Sequence, residues 1–163
     1  MMKTHARIPL VALLVALGVA APDSAMAKKT AHKYSATLTG ATVATGNGYP
    51  APGGRSLFAG RLKTKGLGDG AMWSTITITG QPASNVISFK GTELDYLPAG
   101  YGRSRFTGTS TVLADGSQEV AISGRIIGGT GRYRGATGRY TFKGSVPAGS
   151  NVMSGHSSGS ISY

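Results

Sequence analysis

Residues Glu119 to Val146 read EVAISGRIIGGTGRYRGATGRYTFKGSV. The stretch has two halves joined by a corner. In the first half Val120, Ile122 and Ile126 fall on one side of an extended chain, and in the second Tyr140, Phe142 and Val146 do the same. A period of two is the signature of a strand. Between the halves, Gly128-Gly129-Thr130-Gly131 permits positive φ and a sharp reversal. Tyr133 then folds back over the core, Arg132 and Arg134 point to water, and Gly138 opens the next strand. A phosphate loop is the rival reading of so much glycine and arginine. It fails on spacing, because no Gly-Lys-Ser/Thr follows and the third glycine of a dinucleotide fingerprint comes one residue late, at Gly135. What comes next is strand-like, so no helix N-terminus is present to hold a pyrophosphate.

Working outward, the same texture covers the chain. Glycine or proline recurs every few residues from Gly40 onward, leaving few gaps long enough for a helix. The gaps are filled by Thr, Ser, Val, Ile, Tyr and Phe, most of which suit strands. In Ser74–Thr79, STITIT, the isoleucines share one face and the threonines the other. About eight such runs are expected, near 33–44, 55–65, 71–80, 85–91, 102–113, 118–127, 138–146 and 153–162. Turn signals such as GLGDG, ADGS and VPAGSN separate them. Glycines inside the runs, at Gly60, Gly108, Gly124 and Gly144, mark bends, bulges or close backbone approach. A small closed barrel needs them to turn its corners. The expected fold is therefore all-β, a closed antiparallel barrel of about eight strands with no substantial helix.

The segment Ser123–Gly144, SGRIIGGTGRYRGATGRYTFKG, resembles the allene oxide cyclase and dirigent-like β-barrels: a strand, a GGTG turn, an aromatic residue and a small-residue step into the last strands. The match covers about 22 residues, and elsewhere the likeness is only a series of short strands. The resemblance implies an eight-stranded antiparallel barrel with an internal cavity, and an activity of the cyclase type or control over the coupling of phenols. No catalytic residue carries over from it, because no matching motif surrounds one here.

The N-terminus speaks to compartment. Lys3, His5 and Arg7 precede the apolar run IPLVALLVALGVAA, and Ala25-Met26-Ala27 places small residues at a cleavage point. This is the layout of a secretory signal peptide, residues 1–27, and the run is shorter than the roughly 20 residues of a membrane span. One domain, residues 28–163, is expected to remain, exported to the periplasm or beyond, with no span after cleavage. The chain has no cysteine, which removes disulfides, thiol catalysis and thiolate metal sites. Its net charge is +11, and loss of Lys3, Arg7 and Asp23 leaves about +10. Such a chain is drawn to anionic partners.

Few residues can carry chemistry. Of the acids after residue 27, Asp69 and Asp115 sit in turn sequences, leaving Glu119 and the pair Glu93 and Asp95 in GTELDY. In an extended segment that pair shares one face. Facing a cavity, one becomes a general base while the other raises its pKa. Facing water, they form a solvated strand end beside Arg103 or Arg105. Tyr96, Tyr101 and Arg105 follow closely, and Tyr and Arg at a barrel mouth suit a carboxylate or phenolate. Glu93, Tyr96, Tyr101 and Arg105 are thus the candidate catalytic set. His32 and His156 have no carboxylate placed beside them, so no metal site is assigned. GHSSG, Gly155–Gly159, fits the nucleophile elbow formally, but the helix and the acid and histidine partners that should follow Ser157 are missing.

Arg125, Arg132, Arg134, Arg139 and Lys143 form a basic cluster interleaved with Tyr133 and Tyr140. Such clusters bind single-stranded nucleic acid, but export makes an anionic envelope polymer or lipid head group the better-matched partner. Two function classes result. One is an exported barrel holding a small apolar or phenolic ligand, as a binder or as a cyclase or isomerase without cofactor. The other is a non-enzymatic basic envelope protein that binds anionic polymers.

Overall fold

A computed structural model describes residues 30–46 and 48–163. The segment read as a signal peptide, residues 1–27, lies outside them. The described chain forms β1 (Ala31–Thr45), β2 (Arg55–Lys65), β3 (Gly70–Ala83), β4 (Val86–Leu97), β5 (Gly100–Val112), β6 (Gln118–Gly129), β7 (Thr137–Val146) and β8 (Val152–Ser162). Each strand pairs antiparallel with the next, and β8 returns to pair with β1, closing a barrel. The only helical element among the described residues is a 3₁₀ turn, Gly131–Tyr133. No helix among these residues is long and apolar enough to cross a membrane.

The runs expected from periodicity all appear, with one difference that matters. The fourth run was expected to stop near residue 91, yet β4 continues to Leu97. TELDYL carries two acids, which strand propensity disfavours. Pairing with Ala71–Ser74 on one side and Gly100–Ser104 on the other supplies the missing stabilisation. Glu93 and Asp95 therefore lie within a central strand and not at its solvated end.

The interior is packed by aromatics laid over glycines. Phe89 pairs with Gly108 and Phe106 with Gly91 across the same two strands. Their rings meet edge to face, with centroids 6.3 Å apart. A Cβ on Gly91 runs into the Phe106 ring, and one on Gly124 runs into the Tyr140 ring. Gly40 makes the same room for Phe58, and Gly144 and Gly155 make it for Phe142. The strand glycines are thus seats for rings, because eight strands enclose a space only just wide enough for side chains.

Two apolar clusters fill the barrel. The larger joins Ala36, Leu38, Phe58, Phe89, Phe106, Phe142 and their neighbours. The smaller closes one end with Tyr133, Ala136 and Ile161, with Leu67, Leu97 and Ile126 packed against it. The glycine-rich corner makes that closure. Gly131 and Gly135 take positive φ, and Tyr133 turns inward until only 1 % of it is exposed. Arg132 stays outside, its guanidinium 4.9 Å from the ring centre of Tyr163.

Ring seating predicts a contrast between two glycines. A Cβ at Gly108 would come within 2.6 Å of the Ala121 carbonyl and 2.7 Å of the Phe89 ring, whereas one at Gly80 meets nothing within 4 Å. Gly108→Ala should destabilise the barrel by about 1–3 kcal/mol, the usual cost of overpacking. Gly80→Ala should leave the urea midpoint unchanged or slightly raised. Equal midpoints for the two variants would refute the packing account.

Candidate functional site: a carboxylate pair inside the barrel

Alternation along β4 sends Phe89, Gly91, Glu93, Asp95 and Leu97 inward and Lys90, Thr92 and Tyr96 outward. Glu93 and Asp95 thus project into the barrel between the two apolar clusters. Glu93 has a serine directly across on each side, Ser74 on β3 and Ser104 on β5. Ser104 donates to its Oε1 at 3.4 Å and Ser74 to its Oε2 at 3.5 Å. The Tyr140 hydroxyl reaches Oε1 at 3.3 Å and lies 3.1 Å from Ser104 Oγ. All four contacts are at or beyond the long end of the hydrogen-bond range.

Asp95 is placed differently. Its cross-strand neighbours are Met72 and Gly102. Neither offers a polar side chain, and Gly102 leaves a gap beside the carboxyl. Asp95 Oδ1 is buried with no hydrogen-bond partner. Such orphans are rare in native interiors and need a reason. Here the atom belongs to the wall of a cavity.

That cavity measures about 80 Å³, and its polar lining includes Tyr34, Glu93, Asp95, Arg103, Tyr140 and Ser157. Leu62, Met72, Ile76, Ile122 and Phe142 are among its apolar walls. Tyr34, on β1, and Ser157, on β8, both line it.

The electrostatics follow from enclosure. Burial away from water pushes the Glu93 carboxyl from its ordinary value of 4.5 up to about 7, and hydrogen bonds from Tyr140, Ser104, Ser74 and Asp95 pull it back only in part. Asp95 is raised well above the ordinary aspartate range, first by burial, then by the Glu93 charge and by their shared hydrogen bond. Two carboxyls this close and this buried do not both ionise readily, so the pair shares a proton. Burial also raises Tyr34 and Tyr140, keeping both as neutral hydroxyls. The site therefore combines two carboxyls of raised pKa with two phenol donors, the kind of grouping that acid–base chemistry uses.

Of the candidate catalytic residues, only Glu93 belongs to this site. Tyr96 points outward and is 51 % exposed. Tyr101 is half-buried and packs against Tyr96 with ring centres 6.2 Å apart. Arg105 is exposed on the outer face of β5. The correction has one physical cause: residues one apart in a strand face opposite sides of the wall. Asp95 was legible as the partner of Glu93. Tyr34, Ser74, Ser104, Tyr140 and Ser157 were not grouped with them, because register across five other strands brings them together. Ser157 lies mid-strand on β8 and is no nucleophile elbow. His32 pairs with Ile161 and His156 with Thr37, so the histidines stay five positions apart along the sheet. No cluster of metal-ligating residues forms among the described residues.

Arg125 and Arg139 sit side by side on the outer wall, and Lys143 lies further along the same face of β7. Arg132 and Arg134 belong to the end turn instead. None of the known family models, curated proteins or solved structures matches this chain.

A raised carboxyl pKa has a consequence for stability. The folded state keeps a proton on Glu93 that the unfolded chain releases near pH 4.5. Stability must therefore fall as pH rises from about 4.5 to about 7, by a few kcal/mol. Thermal unfolding across that window should show the decline; Asp95, raised as well, adds to it in the same direction, so Glu93→Gln should make it shallower and Glu93→Gln with Asp95→Asn should flatten it. A slope unchanged in the variant would place the titrating group elsewhere.

Proposed function

We propose that this chain is an exported small-molecule-binding β-barrel that moves protons on its ligand without a cofactor, as an isomerase or cyclase does. The observation that carries the reading is the Glu93–Asp95 pair, enclosed with Tyr34 and Tyr140 against an apolar cavity. A closed barrel has no structural need for two carboxylates in its interior. Replacing a buried ionic group by an apolar one of similar size is often neutral or stabilising. A base poised near neutrality and a protonated acid a few ångströms away are what enolisation and allylic shifts require. The resemblance of Ser123–Gly144 to the allene oxide cyclase and dirigent-like barrels supports the same class.

The cavity also limits the ligand. About 80 Å³ is far below the roughly 300 Å³ of ordinary ligand sites. A single small ring or a short chain fits, with its one polar atom at the carboxylates and its body toward Met72, Ile76 and Phe142. With the shared proton on Asp95, a carbonyl oxygen would accept from it. Glu93 would then remove a proton from the adjacent carbon, leaving the enol, and return it at the same or another carbon.

Cyclohexanone in D₂O is a direct probe, because enolisation exchanges its α-hydrogens for deuterium and NMR counts them. The protein should accelerate exchange with a rate that rises through about pH 7. Glu93→Gln should lower it by about 10²–10⁴-fold, the usual contribution of a positioned base. No acceleration by the folded wild-type protein would reduce the reading to ligand binding alone. Native mass spectrometry of protein recovered from the export compartment of its host would then name the ligand.

A further inference from the structure

The outer wall carries an arrangement that the interior chemistry does not use. Arg105 on β5 lies directly opposite Arg125 on β6. Arg125 in turn lies opposite Arg139 on β7. Arg139 is followed across the seam by Ser160 on β8 and Lys33 on β1. All five side chains are exposed. Adjacent strands are about 4.8 Å apart, so three guanidinium groups stand in a ladder that crosses the barrel wall. Like charges directly opposite each other in a sheet are destabilising, and this row stacks three.

Among the described residues no acidic side chain lies in the row. Glu93 and Asp95 are inside the barrel, and Asp69 and Asp115 lie in turns. Glu119 shares the outer face of β6 but sits six residues from Arg125, about 20 Å along the strand. The next outward row is Thr107, Ser123, Thr141, Ser158 and Ser35, every member a hydroxyl, with Lys90 at one end and Lys65 at the other. Beyond it come Lys143, His156 and Lys63. Short hydroxyl side chains thus run between two basic ridges, and a shallow depression follows Arg105, Thr107, Ser123, Arg125, Arg139 and Thr141.

We propose that this trough binds an acidic polysaccharide, a linear glycan whose sugars carry carboxylate or sulfate groups. The ladder offers planar forks suited to bidentate capture of such groups. The hydroxyl row offers donors and acceptors at the level of the sugar hydroxyls. Single-stranded nucleic acid would call for aromatic platforms, and neither row contains an aromatic residue. A lipid surface would call for several apolar side chains to insert; neither row contains one, and Ile127 is the one exposed apolar residue lining the depression. The proposal is independent of the cavity.

The test titrates wild-type protein with polygalacturonate oligomers, using dextran oligomers of equal length as the neutral control. Polygalacturonate should bind, dextran should not, and affinity should fall steeply with salt. The triple variant Arg105→Ser, Arg125→Ser, Arg139→Ser should lose at least tenfold in affinity. Removing the same charge elsewhere, with Arg55→Ser, Arg61→Ser and Arg134→Ser, should cost less than threefold. If the ladder triple fails to fold, the single variant Arg125→Ser carries the test, with a loss of at least threefold expected. Equal losses in the two triples would reduce the effect to net charge and overturn the proposal. So would tighter binding to single-stranded DNA of equal charge or to vesicles of anionic lipid.

Discussion

Two carboxylates lie inside a closed barrel, and much of the structure is arranged around that fact. Closure leaves no free sheet edge and gives the interior little water, so a charge placed there is costly. The chain meets that cost locally. Serines flank Glu93 on both neighbouring strands, a tyrosine from β7 reaches the oxygen that Ser104 contacts, and the Asp95 pKa is raised well above the ordinary range. The pair is left neutral or singly charged, never bare. The contacts are long, so the network is loosely held.

The same closure explains the glycines. A barrel of eight strands has room for rings only where the facing strand carries no side chain, and Gly91, Gly108 and Gly124 supply those places. Gly102 is the exception that makes the site. No ring occupies the space beside it, and the gap becomes part of the cavity wall next to Asp95. At the near end, Tyr133 seals the barrel from a turn whose glycines allow positive φ. The corner that looks like a phosphate loop in the sequence is thus a stopper, and its arginines face water because its tyrosine does not.

Much of the fold was legible because period two and glycine punctuation are local signals. Ile76 and Ile78, or Tyr140 and Phe142, declare their face within a few residues. The end of β4 was not legible, since TELDYL has poor strand propensity and owes its conformation to its neighbours. The candidate site was legible only along one strand. Glu93 and Asp95 could be paired by spacing alone, but Tyr34 and Tyr140 come from strands whose register no local pattern fixes. Tyr96 and Arg105 were misplaced for the complementary reason: nearness in sequence is not nearness in a strand, where each step crosses the wall.

That wall also separates two electrostatic regimes. Inside, enclosure raises the carboxyl pKa values and so disfavours negative charge. Outside, guanidinium groups face one another at strand spacing with no acid in their row. A sheet face free to vary would relieve such repulsion by alternating signs. This one instead has no acid within its row: Glu93 and Asp95 lie indoors, and Glu119 stands about 20 Å along the strand. The two surfaces are therefore uncoupled in register and in sign. One strand, β5, serves both: Ser104 contacts the Glu93 carboxylate, and Arg105, the next residue, begins the ladder.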